Sequence, residues 1–261
     1  MNAYRTGCIR LLLLGFAVAA CGKDQAPLQP PEDTTPPFAG TIFIDPDIIT
    51  ASDPTTFRDL TYAGQEARTM FDRRANAFIT VDAFLFEAAF DDGLSAEVQV
   101  NPEFGTPAAA SVQAGKYAEV IGRLPIALRR NVKTVWIHMG TQLFGGGNDN
   151  LLIHIGQAAL YEADGILEET LVHEAAHTSL DAAHANSPGW RAAQNADGRF
   201  ISTYARDNPG REDVAESFLP WLAVRIRPER VTASLAETIQ RTIPNRITYF
   251  DNQHFDMQPL Q

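Results

Sequence analysis

The stretch LVHEAAHTSLDAAH, residues 171–184, decides the reading of this chain. Upstream of it, Asp164 is placed to cap a helix, and Glu168 and Glu169 suit the first turns. Leu167, Leu171, Ala175 and Ala176 recur at helical spacing. On such a helix His173 and His177 stand one turn apart, on nearly one face, where two imidazoles can share one tetrahedral zinc ion. Glu174, rotated by about 100° from His173, falls beside the metal position. There it can take a proton from a metal-activated water and hand it to a leaving amine. Ala175 and Ala176 keep the intervening positions small. The pattern is His-Glu-x-x-His on a helix.

A zinc site of this kind needs a third protein ligand. His184 is the near choice, but on a continuous helix it lies about 10 Å along the axis from His177. The other solution is a carboxylate from further on. YARDNPGREDVAESFLPWLAVR, residues 204–225, opens with an Asn-Pro-Gly turn and continues as a helix with Glu212, Ala215, Glu216 and Leu219 on one face. One glutamate can bind the ion while its neighbour orients a ligand histidine. Glu212 and Glu216 fit those two roles, with Glu216 as ligand the alternative assignment.

HEAAHTSLD, TYARDNPGREDVAESF and IPNRITYFD follow one another over residues 164–251. Together they resemble the catalytic domain of anthrax lethal factor and the Pro-Pro endopeptidase group of zinc metallopeptidases. The resemblance implies an α+β, zincin-like metallopeptidase domain, with strands in its N-terminal half and mainly helices in its C-terminal half. It implies His173, His177 and Glu212 as ligands of one zinc ion, Glu174 as general base and Tyr204 as donor to the transition-state oxyanion. Glu216 then orients a ligand, and His184, which lacks the glycine-bearing spacing of metzincin third histidines, is a bystander. The implied activity is endopeptidase hydrolysis of a peptide or protein substrate. The alternatives are a catalytically silent zinc-binding protein with a binding or assembly role, and a metal-dependent amidase acting on cell-wall peptide.

The N-terminus bears on location. Arg5 and Arg10 precede an apolar run from Leu11 to Ala20, the layout of an export signal over residues 1–20. That run is far short of the roughly 20 residues a membrane-spanning helix requires. Val18-Ala19-Ala20-Cys21 resembles the lipobox of bacterial lipoproteins, which implies lipid on Cys21 and, with Gly22 following, the outer membrane of the cell envelope. Residues 21–40 are proline-rich and read as a tether, leaving residues 41–261 as the domain. The two cysteines, Cys8 and Cys21, both lie in this leader, so any metal in the domain must be held by His, Asp and Glu. The formal net charge of -11, with no basic stripe, excludes nucleic acid as a partner.

Between leader and motif the elements are shorter. TIFIDPDII, from residue 41, alternates as a strand. Residues 56–78 recur at helical spacing through Leu60, Ala63, Ala67, Met70 and Phe71. Residues 79–101 are ambiguous until AEVQV, which alternates as a strand, and residues 112–128 read as a helix broken at Pro125. VKTVWIHM (132–139) and NLLIHIG (150–156) read as strands, joined by a flexible hairpin connection through Gly145, Gly146 and Gly147 rather than by a phosphate-binding loop. His138 and His154 on those strands read as structural histidines.

Overall fold

The computed structural model describes residues 34–41 and 47–261. The export signal, Cys21 and most of the tether lie outside the described residues, as do residues 42–46 of the strand expected from Thr41; Asp47 to Ile49 form a turn. The end of the tether segment runs along the domain, where Phe38 bridges Ser202 and accepts a hydrogen bond from the Thr203 amide.

The fold is α+β, with a mixed six-stranded sheet in the N-terminal half and helices in the C-terminal half. A long antiparallel hairpin of β1 (Phe57–Asp72) and β2 (Ala77–Phe90) starts the sheet, and β3 (Ser95–Val100) extends it antiparallel to β2. Next, α1 (Pro107–Gly122) and α2 (Ile126–Arg129) carry the chain across one face. This crossover lets β4 (Thr134–His138) pair in parallel with β3. The far side is completed by β5 (Gly145–Gly147) and β6 (Asn150–His154), giving the order β1-β2-β3-β4-β6-β5.

Residues 57–72 are therefore a strand and not the helix their spacing predicts. Fourteen-residue β2 supplies a backbone partner along nearly the whole segment, and Gly64, at φ +109°, sits at a register shift that a helix interior would not favour. Because β1 is the sheet edge and half exposed, its apolar residues are sparse, and sparse spacing imitates a helical period. The three glycines are likewise not a hairpin between two strands. β4 and β6 are parallel, and the hairpin is β5 to β6, closed by Asn148 and Asp149 at φ 51° and 59°.

The helical half comprises α3 (Ile155–Ala163), α4 (Leu167–Ser179), α5 (Asp181–His184), α6 (Pro188–Asp197), α7 (Thr203–Asp207), α8 (Asp213–Ile226), α9 (Ala233–Thr242) and α10 (Pro244–Asp251). Asp164 is not the N-cap of α4. It ends α3, and the left-handed Gly165 (φ +69°) delays the next helix until Leu167. α4 is buried along almost its whole length, with Leu171, Val172, Ala175 and Ala176 in the main core. Phe218 and Trp221 of α8 cluster with Phe250, Phe255 and Trp190 in tilted and edge-to-face ring pairs. Fully buried Arg246 of α10 binds Asp213 of α8 and Asp197 of α6, each at 2.9 Å, and so locks the start of α8 in place. Removing one member of such a buried group leaves an unpaired charge and costs about 3–5 kcal/mol. Among the described residues no helix is long and apolar enough to cross a membrane.

Glu169, one turn before His173, is fully buried and accepts the Ile49 amide at 2.9 Å. Burial pushes its carboxyl up to about 8. The folded chain thus holds a proton that the unfolded chain has lost above its ordinary range, so this site favours folding at low pH and loses that advantage as pH rises toward 8. Glu169→Gln keeps the acceptor and removes the titration. Its stability relative to wild type is expected to climb between pH 5 and pH 9 by on the order of a few kcal/mol, read from urea unfolding of the metal-free protein. A pH-independent difference between the two proteins would rule this out.

Candidate metal centre

The i, i+4 spacing on α4 brings His173 and His177 together as the sequence implies, with their Nε2 atoms 3.1 Å apart. The third donor comes from the turn before α8. Glu212 Oε2 lies 3.0 Å from His177 Nε2 and 3.6 Å from His173 Nε2. A zinc ion held at about 2.0–2.1 Å by tetrahedral donors separates them by about 3.3 Å, so the spacing of these three atoms fits one ion. All three side chains are largely buried, and no thiolate competes.

Each donor is held from behind. His177 Nδ1 pairs with Asp181 Oδ2 at 2.7 Å, which directs its Nε2 lone pair inward. His173 Nδ1 faces Glu216 Oε1 at 3.4 Å, and Ser202 donates to the other Glu216 oxygen. Glu212 Oε1 accepts from Arg211 Nε at 2.7 Å and from the Tyr204 hydroxyl at 3.1 Å, leaving Oε2 for the centre. Burial alone would push His177 down, but its bonds to Asp181 and Glu212 outweigh that and raise it to about 10. Burial would push Glu212 up, yet the histidines and Arg211 hold its carboxyl below the ordinary carboxylate range. A ligand imidazole binds metal through an unprotonated nitrogen, so these same charge interactions set metal binding in competition with a proton.

The cluster opens on a cleft of about 530 Å³ walled by β5, Arg73, Tyr161, Thr170 and Glu174. Glu174, the next residue after His173, projects into it, and no hydrogen bond or ion pair engages its carboxylate among the described residues. Burial raises the Tyr161 phenol, with the charge of Glu174 acting in the same direction and that of Arg73 against it. Close approach of β5 to α4 forms one wall, with the Gly147 amide donating to Thr178 Oγ1 at 2.8 Å.

Of the residues singled out from sequence, His173, His177, Glu212, Glu174, Glu216 and Tyr204 meet at this one place. His184 does not. The helix breaks at Leu180, and His184 Nδ1 is bonded to the Tyr249 hydroxyl at 2.7 Å. Nor do His138 and His154, which stack at 5.3 Å in the sheet, bonded through Nδ1 to Asn101 and to the Met139 carbonyl. Cys21 lies outside the described residues. Asp181, one turn past His177, reads in the sequence as a helix-end carboxylate, whereas it holds His177 from behind; Arg73 and Tyr161 carry no comparable signal. Asp181→Asn is expected to weaken zinc binding by about 10–100-fold, measured by chelator competition. Unchanged affinity would remove Asp181 from the centre.

The chain matches no protein-family model, no curated protein and no solved structure.

Proposed function

We propose that this protein is a zinc-dependent endopeptidase of zincin type. The convergence of His173 Nε2, His177 Nε2 and Glu212 Oε2 beside the unengaged Glu174 carboxylate carries the proposal. His173, His177 and Glu212 would hold a zinc ion, which when bound would supply Lewis acidity toward a peptide carbonyl and lower the pKa of water. Glu174 is the general base and then the acid toward the leaving amine, and its unengaged carboxylate suits that exchange. Asp181 and Glu216 fix the imidazoles. Tyr204 positions Glu212 in the resting state and becomes the oxyanion donor once its bond to Glu212 is exchanged for the substrate. An extended peptide takes the outer edge of β5 as its partner. Lipid on Cys21 would hold the domain at the outer membrane of the cell envelope, a location supported by the lipobox resemblance of Val18-Ala19-Ala20-Cys21.

Zinc-loaded protein offered a broad peptide library tests this. Cleavage lost on chelation and restored by zinc is the expected result. One zinc bound per chain with nothing cleaved would replace the peptidase by a silent zinc-binding lipoprotein, and cleavage confined to cell-wall peptide would make it an amidase.

A further inference from the structure

Two guanidinium groups line the cleft, Arg73 and Arg211. Arg211 is engaged by Glu212 and reaches the Tyr204 hydroxyl at 3.3 Å. Arg73 stands in the turn between β1 and β2 beside Arg74, and the two neighbours have opposite fates. Arg74 is neutralised twice, by Asp72 at 2.8 Å and by Glu103 at 2.6 Å. Arg73 has no carboxylate partner among the described residues, in a chain with 32 acidic side chains to 21 basic ones. Acid is plentiful, yet none of the described carboxylates is placed on this cation.

The Arg73 side chain is nonetheless held. Its Nη2 donates to the Phe144 carbonyl at 2.8 Å, immediately before β5. The same nitrogen lies 3.0 Å from where a Cβ of Gly145 would stand, so a glycine there leaves room for the guanidinium against the strand. The remaining N–H donors of a planar fork fixed in this way match a carboxylate bidentately. We infer that the cleft selects peptides bearing a carboxylate beside β5, and that Arg73 is the specificity-determining residue that binds it. The inference rests on the peptidase reading for its substrate and on the Arg73 geometry for its selectivity. An Asp or Glu side chain and a free C-terminus present the same group.

The test uses matched peptides, Glu against Gln near the cleaved bond and free acid against C-terminal amide. Each is measured two ways: kcat/KM with zinc-loaded wild type, and Kd by fluorescence polarisation with zinc-loaded Glu174→Gln. Carboxylate-bearing peptides are expected to be favoured by about tenfold or more over their amide counterparts. Arg73→Gln should bring that ratio close to one, Arg73→Lys should retain part of it, and Arg73→Glu should invert it. The Glu/Gln and acid/amide pairs distinguish the two sources of the carboxylate. Cleavage with no carboxylate preference, or a preference that survives Arg73→Gln, overturns the inference and leaves the peptidase intact. Arg73-dependent binding without cleavage by wild type keeps the inference and overturns the peptidase. Neither binding preference nor cleavage overturns both.

Discussion

Glu174→Gln is expected to lower kcat for peptide hydrolysis by about 10²–10⁴-fold while the protein still binds zinc. Glutamine has the same shape but cannot accept and return a proton at neutral pH. The Glu174 carboxylate is outside the three-donor cluster and has no hydrogen-bonded partner among the described residues, so the exchange strands no neighbour. Fold and metal affinity should therefore stay close to wild type, which separates loss of chemistry from loss of the centre. Initial rates and zinc titration on the same sample decide it. A variant that keeps more than a tenth of wild-type kcat would dismiss Glu174 as the proton carrier.

Gly146→Ala should damage the protein more than any other single methyl in the cleft wall. A Cβ at Gly146 would fall on the carbonyl oxygen of Glu174, 2.6 Å from its carbonyl carbon and 2.9 Å from its Cα. Both sides of that clash are backbone, so no rotamer relieves it and β5 must move off α4. β5 has three residues, paired to β6 and tied to α4 through Gly147 and Thr178. A loss of roughly 3 kcal/mol or more is expected, together with displacement of the cleft wall and loss of activity. The adjacent glycines supply the comparison. Gly145→Ala is tight only against the end of the Arg73 side chain and makes ordinary contact with Leu152, and Gly147→Ala meets no atom within 4 Å but strains a backbone at φ +115° by about 1 kcal/mol. Denaturant unfolding of the three variants should rank Gly146 well apart, and equal losses would contradict the close-approach explanation.

That glycine triplet shows where sequence reading ends. Flexibility was the natural inference from three consecutive glycines, whereas the middle one is required by a backbone from another element that no local pattern announces. α4 was legible because two histidines and a glutamate on one helix declare their geometry at a spacing of four. Glu212 was reached through resemblance and through helical phase, since no spacing rule connects it to His177 across the turn before α8. The opposite case is β1. A strand whose identity comes from its partner β2 cannot be identified by its own periodicity, and the spacing of its few apolar residues favoured a helix. Arg73 was invisible for a different reason: its significance lies in which carboxylates are absent around it, and only the folded chain determines that.

β1 is also the outer strand of the sheet, and its free side is a row of peptide groups able to recruit another chain. Arg58, Asp59, Glu66 and Arg68 are spread along it, and the register shift at Gly64 interrupts its regularity. Alternating charge and a break in pleat oppose edge-to-edge pairing with a second copy. The irregular composition that disguised the strand is thus the same property that guards it against aggregation.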